Sequence, residues 1–133
     1  MKPELNAIAE IDRVIHEPGR LMIVALLFTV EKADFVYLQY ETGLNKGNLS
    51  SHIAKLEAAG YLAMEKTFRG KVPQTLLSLT GAGREAFTAY RRTLKEFCAN
   101  TSPESGIHER SVGRVTFREK SGLNQALSFP AKS

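Results

Sequence analysis

Apolar residues recur along this chain with helical spacing in four stretches and with alternating spacing in one. Leu5, Ile8, Ile11 and Ile15 fall three, three and four residues apart, which predicts an amphipathic helix from Leu5 to Ile15 with Glu10, Asp12 and Arg13 off the apolar stripe. Pro18 then opens a second helix reaching about Val30, because the N–H that proline lacks would have had no intrahelical partner in a first turn. Its run LMIVALLF is apolar almost all round, so this helix is expected at the buried centre of the domain. Asp34 caps a short helix from Phe35 to Thr42, with Phe35 and Leu38 turned inward and Gly43 as its stop. The stretch NKGNLSSHIAKLEAAG, Asn45 to Gly60, is punctuated at both ends by a capping asparagine and a left-handed glycine. Within it Leu49, Ile53 and Leu56 stand at i, i+4 and i+7 and form one core-facing stripe.

After Gly60 the spacing changes to two. Leu62, Met64, Lys66 and Phe68 alternate, a break follows at Gly70 to Pro73, and Thr75, Leu77 and Leu79 alternate again, which predicts a two-stranded hairpin with a loose tip. Thr80 caps a last helix from Gly81 to about Cys98, whose stripe is Ala86, Phe87, Tyr90, Leu94 and Phe97, with Arg84, Arg91, Arg92 and Lys95 elsewhere. That stripe is too apolar to stand in water and is expected to pack on Leu5 to Ile15 of the same or a partner subunit. From Asn100 the chain is rich in serine and glycine and loses helical periodicity, which predicts an irregular tail. Val115 and Phe117 are too few to anchor a strand at 114–118 by themselves.

The order short helix, glycine, one apolar residue (Leu44), capped second helix is the sequence form of a helix-turn-helix. The outer side of its second helix collects Gly47, Ser51 and Ala58, flanked by Asn48 and Lys55, and carries no acid before Glu57. A polyanion can therefore approach the N-terminal half of that helix closely. Lys66, Arg69 and Lys71 surround the hairpin tip, with Glu65 the one nearby acid, which suits contact with phosphates.

Composition adds bounds rather than detail. The chain has 133 residues, 43% hydrophobic and 24% charged, which fits one folded domain with an appended segment. The net charge of +4 and a pI near 9.3 permit binding to nucleic acid or an anionic surface. One cysteine, Cys98, excludes an intramolecular disulfide and a cysteine-rich zinc site, and it reads as an ordinary, partly buried residue. His16, His52 and His108 share no ligand spacing, so neither a metal nor a cofactor is expected. The longest apolar run, Leu21 to Phe28, is far below the ~20 residues of a membrane span. No secretory leader is evident, which points to a cytoplasmic protein. Catalysis finds no support: Gly81 and Gly83 make no phosphate loop, no nucleophile elbow is present, and Asp12, Asp34 and Glu57 sit on separate elements without a partner histidine.

From about Ile11 to Phe97 the sequence resembles the winged helix-turn-helix transcriptional regulators of the MarR and ArsR type, most closely their small single-domain members. The resemblance is carried by VIHEPGRLMIVALL, GLNKGNLSSHIAKLEAAGYL and KTFRGKVPQTLLSLTGAGREAF. It implies a fold that is mainly α with a small β-hairpin wing, in which residues of the second motif helix enter a DNA major groove and terminal helices build a two-fold dimer. By matching position Asn48, Ser50, Ser51, His52 and Lys55 are implied DNA-facing groups, with Arg69 and Lys71 on the wing; Lys46 and Lys66 complete the candidate set. His52 lies toward the edge of the apolar stripe and serves equally well as a phosphate contact or as a packed side chain near Tyr61. Leu5, Ile8, Tyr90, Leu94 and Phe97 are the candidate dimer seam, in a domain spanning 1–99 followed by a tail over 100–133. Gly81 stands where such proteins often have a proline, and the tail has no counterpart. The expected function is sequence-specific binding of double-stranded DNA by a homodimeric transcriptional regulator acting as a repressor. The rival reading is a winged-helix protein-interaction module, and a third is small-molecule sensing at the dimer interface, for which the sequence names no effector.

Overall fold

In a computed structural model, which describes residues 3–103, the chain is organised around one apolar helix at the centre of its core. The chain divides after Cys98 into two units, and the first is described over 3–98; the tail expected from 100 onward lies almost wholly, and the segment at 114–118 wholly, outside the described residues. The first unit runs α1 (Pro3–Ala9), α2 (Pro18–Thr29), β1 (Ala33–Asp34), α3 (Phe35–Thr42), α4 (Lys46–Ala58), β2 (Leu62–Arg69) and β3 (Val72–Leu79). It ends in α5, which spans Gly81–Asn100 and so runs just past the boundary.

The central helix, α2, starts at Pro18 as its sequence predicts, with the Glu17 carboxylate capping it by accepting the Arg20 N–H at 2.8 Å. Ile23, Val24 and Leu27 are fully buried. They meet Leu38 of α3, Leu49, Ile53 and Leu56 of α4, Leu62, Leu77 and Leu79 of the sheet, and Phe87 and Tyr90 of α5 in one core. The helix is not buried all round, however: Leu21, Ala25, Leu26 and Phe28 are half-buried and Met22 is 38% exposed. The C-terminal carbonyls of α2, which a helix leaves without intrahelical partners, are met by Arg84 of α5, whose guanidinium donates to Phe28 O at 3.2 Å and Val30 O at 3.3 Å. The same guanidinium lies 5.5 Å from the centre of the Phe28 ring.

Three sequence expectations are corrected. The first helix stops at Ala9 instead of reaching Ile15. Asp12 is the cause: its Oδ1 accepts the N–H groups of Val14 (2.9 Å) and Ile15 (3.1 Å), a local side-chain turn that competes with helix propagation. Ile11 and Ile15 remain buried, so the apolar spacing was satisfied by a helix followed by a turn. The hairpin is part of a three-stranded antiparallel sheet of order β1-β3-β2, in which Ala33 pairs with Leu77 and Asp34 with Leu76. Asp34 therefore serves two elements: Oδ1 caps α3 by accepting Tyr37 N–H at 2.7 Å, and Oδ2 accepts Gln74 Nε2–H at 3.1 Å from β3. These donors hold its carboxyl below the usual aspartate value. Finally, the hairpin tip is tight. Strand pairing continues to Arg69 with Val72, Pro73 pairs opposite Phe68, and the two-residue loop Gly70-Lys71 has glycine at φ 66° in its first position, as a II′ turn requires.

Helix α4 ends as its sequence predicts. Gly60 at φ 83° donates its N–H to Glu57 O at 2.9 Å and Tyr61 N–H reaches back to Leu56 O at 3.0 Å, the paired bonds of a Schellman stop. Tyr61 then fastens this corner to the Asp12 turn by donating its hydroxyl to Asp12 Oδ2. Thr80, at the far end of the hairpin, donates Oγ1–H to Gly60 O at 2.6 Å and accepts Gly83 N–H at 3.0 Å, capping α5.

Two tests follow from these joints. A methyl group on Gly83 would run into the Tyr61 backbone carbonyl, whereas nothing lies within 4 Å of a methyl group on Gly81. Gly83→Ala is expected to cost about 1–3 kcal/mol through overpacking. Gly81→Ala should be neutral or stabilising by about 0.4–1 kcal/mol, because it narrows the unfolded ensemble without strain. Urea unfolding of the two variants checks this opposition of sign. The Tyr61 hydroxyl is pushed up to about 12 from the ordinary 10.0, chiefly because its protonated form donates a hydrogen bond to the Asp12 carboxylate and secondly by burial. A raised value means the bond's contribution is fully present below pH 10 and is lost as pH rises through about 12. The gap in urea midpoint between wild type and Tyr61→Phe should accordingly close between those two pH values.

Candidate nucleic-acid interface

Helix α4 is held by one side and presents the other. Leu49 and Leu56 are 0% exposed and Ile53 2%, so the rotation of the helix about its own axis is fixed by three side chains in the core. Asn45 caps it, its Oδ1 accepting Asn48 N–H at 2.8 Å, which leaves the asparagine occupied by the helix start. Outward stand Lys46, Asn48, Ser50, Ser51 and Lys55, all exposed. The first turn contains no acidic side chain, so the partial positive charge of the helix N-terminus is uncompensated. This face carries hydrogen-bonding groups of short reach with two lysines at its borders, a surface that can enter a groove and tell one pattern of donors and acceptors from another.

His52 differs from its neighbours. Its side chain is only 18% exposed, and its ring lies at the first turn of α2, with Nδ1 3.2 Å from Arg20 Nη1 and 3.7 Å from Glu17 Oε1. The partner near Tyr61 expected from sequence is not the one it has, since the Tyr61 hydroxyl goes to Asp12. Arg20 and Glu17 were not singled out by periodicity, because both belong to the capped start of an ordinary helix. The glycine between them was the available signal. A methyl group at Gly19 would stand 2.6 Å from His52 Nε2, so only glycine lets the ring lie there.

On the wing, Lys66, Arg69 and Lys71 are exposed as expected, but the strand register divides them. Lys66 shares a sheet face with Met64 and Phe68, and Arg69 lies on the other face with Thr67 and its partner Val72. Lys71 sits in the turn. Arg69 borders a cavity of about 340 Å³ whose lining includes Asp34, Phe35, Val72 and Gln74, and its charge helps to depress the Asp34 carboxyl. Glu65, the acid nearest the tip, is matched by Lys32, whose Nζ donates to its Oε1 at 2.9 Å. This lysine, in the α2–β1 connection, lay outside any sequence pattern. The exposed pair contributes little stability but removes the local negative charge from the ribbon.

Of the candidate dimer residues, Leu5, Ile8, Leu94 and Phe97 are half-buried. Tyr90 is not available to a partner: it is 4% exposed, stacked with Phe87, and its hydroxyl is 2.9 Å from His16 Nδ1. Cys98 is exposed rather than partly buried. Among the described residues no group of three histidine, cysteine or carboxylate side chains could hold a metal ion, and no helix is long and apolar enough to cross a membrane.

This arrangement of helix-turn-helix and wing is shared with known proteins. Residues 20–98 match the family described as the winged helix DNA-binding domain. An uncharacterised protein of Methanocaldococcus jannaschii is 35% identical over 79 residues, covering 59% of this chain and 85% of its own. A transcriptional regulator homologue from Pyrococcus horikoshii OT3 is 30% identical with a TM-score of 0.68, over 74% of this chain and 97% of its own. A MarR-family transcriptional regulator from Silicibacter pomeroyi, 19% identical, shares the fold with a TM-score of 0.51 over 96% of this chain and 78% of its own. With its motif helices, wing and core matched across these comparisons, the chain belongs to the winged helix DNA-binding domain family.

Proposed function

We propose that the protein is a homodimeric regulator of transcription that reads a specific double-stranded DNA sequence and represses by occupying it. The observation that carries this reading is α4: its apolar stripe is fully engaged in the core, while Asn48, Ser50, Ser51 and Lys55 are left outward on a helix face without acids before Glu57. A face of that composition suits hydrogen bonding to base edges, and the wing lysines and Arg69 suit phosphates. The dimer is supported by the incompletely covered apolar surface of one subunit: Leu5, Ile8, Leu94 and Phe97 at the terminal helices, and Met22 on the outer side of α2. Action on chromosomal DNA would place the protein in the cytoplasm. A small-molecule effector has no residue-level support in the described structure, and none is assigned.

The deciding experiment is selection of bound sequences from a random DNA pool. A two-fold symmetric consensus is expected, with half-sites separated by about one helical turn, ~34–36 Å. Ser51→Glu, which places a carboxylate toward the base edges, should abolish binding to that consensus. Arg69→Ala should weaken binding to every sequence alike and reduce the slope of log affinity against log salt by about 0.9, the value for one lost phosphate contact. A pool that returns no preferred sequence at physiological salt, together with nuclease-insensitive capture of a protein partner, would instead favour the protein-interaction module.

A further inference from the structure

We infer that Gln74 is a positioning residue for the wing's contact with DNA: its side-chain amide, held by Asp34, sets the angle at which Arg69 is presented. This rests on the DNA-binding role proposed above. The base of the wing is fixed by the core, in which Leu62, Leu77 and Leu79 are buried, and by β1, which pairs with β3 at Leu76 and Leu77. Farther out the hold weakens. Between Ala63 and Leu76 no side chain is fully buried, and β1 ends at Asp34, opposite Leu76, so the outer half of the wing is a ribbon of two strands. Two strands alone are marginally stable at best in water, and no buried side chain fixes the direction of these two. Between this outer half and the start of α3 lies the cavity of about 340 Å³ whose lining includes Asp34, Phe35, Val72, Gln74 and Arg69.

Gln74 spans that gap. Its Nε2–H donates to Asp34 Oδ2 at 3.1 Å, while Oδ1 of the same carboxylate accepts Tyr37 N–H at 2.7 Å in the first turn of α3. A hydrogen bond to an ionised group is roughly twice as strong as one between neutral groups. The strand register puts Gln74 on the face that carries Arg69: Gln74 pairs with Thr67 and Val72 with Arg69, and residues two apart share a face. The strut therefore runs from the face bearing the guanidinium to the first motif helix, which leads through Gly43, Leu44 and Asn45 into α4. Lys32 and Glu65 make a second tie to the same face, but both ends are exposed and the pair contributes little. A wing held at one angle meets DNA without the ordering that a swinging wing requires. Loss of the strut should thus appear as loss of what Arg69 contributes.

A double-mutant cycle on the full chain tests this, with affinity for the selected consensus and its salt dependence measured for wild type, Arg69→Ala, Gln74→Met and the pair. Methionine keeps the length of glutamine and loses its donor. Arg69→Ala should weaken wild-type binding roughly fivefold at about 0.15 M salt, the scale of one phosphate contact, and less than about twofold in the Gln74→Met background. In Gln74→Met alone the slope of log affinity against log salt should already be lower by about 0.9, although an uncharged side chain has been replaced. General destabilisation lowers the folded fraction and leaves the slope of the folded molecules unchanged. Asp34→Ser keeps a cap on α3 but is too short to reach Gln74, so it breaks the strut from the other end and should reduce the effect of Arg69→Ala equally. Nitrogen-15 relaxation of the wild type, which needs no variant to fold, should find the Arg69 and Val72 amides as rigid on the nanosecond scale as those of Leu77 and Leu79. A wing mobile on that scale, an unchanged slope in Gln74→Met, or an equal effect of Arg69→Ala in wild-type and strut variants overturns the inference alone. A DNA pool without a consensus, or an Arg69→Ala variant that binds as the wild type does, overturns it together with the reading of function it rests on.

Discussion

The seat of α4 on α2 is the interaction on which the rest depends. As a free peptide α4 would be a poor helix: its thirteen residues include Gly47, Asn48, Ser50 and Ser51, all with weak helix propensity, and a helix of this length is marginal in water even with good formers. What makes it helical is burial of Leu49, Ile53 and Leu56 against Ile23, Val24 and Leu27, aided by a cap at each end. This division of labour frees the outer face from any duty to the fold. Short polar side chains can stand there because the helix does not need them to be alanine or leucine.

The same central helix shares one core with α3, α4, the sheet and α5, and the way it is shared explains several otherwise unrelated bonds. Arg84 closes its C-terminal end from α5, Glu17 closes its N-terminal end, and Asp12 turns the chain so that Ile11 and Ile15 reach the core without a longer first helix. Asp34 joins the base of the sheet to the start of α3, so the wing and the first motif helix are positioned by one carboxylate. Each of these polar groups lies where a backbone N–H or C=O would otherwise lack a partner. The outer side of α2 is the remainder: its half-buried leucines and exposed Met22 are the part that the other described elements leave uncovered.

Most of this architecture was legible because the helices are punctuated by residues with specific backbone chemistry. Pro18, Asp34, Gly43, Asn45, Gly60 and Thr80 all mark the boundaries that their side chains or positive φ angles imply. Periodicity failed where two structures satisfy the same spacing. Ile8, Ile11 and Ile15 meet the core from one long helix or from a short helix and a turn, and only the Asp12 side chain decides between them. A two-residue strand such as Ala33–Asp34 has no period to detect. At the interface the exposed set on α4 followed from the stripe, since fixing one side of a helix fixes the other. The tertiary partners of that helix did not: that His52 meets Arg20, and that Glu65 meets Lys32, depends on distances between elements that no local pattern encodes.

The wing shows how register can matter more than composition. Read as a list, Lys66, Arg69 and Lys71 form a basic tip; read through the strand pairing, they point to two faces and an end. A ribbon of that kind cannot lay all its charges on one flat anionic surface, because the pleat sends Lys66 and Arg69 in opposite directions. It is suited instead to a cleft with negative charge on both walls, and the tight Gly70-Lys71 turn keeps its leading end narrow enough to enter one. Phe68, 67% exposed beside Lys66, and Val72, 64% exposed opposite Arg69, then give each face an apolar neighbour for its charge. With α4 directed outward by its buried stripe and the wing charged on both sides, the two elements differ in what they present: the helix carries short hydrogen-bonding groups, and the ribbon carries charge.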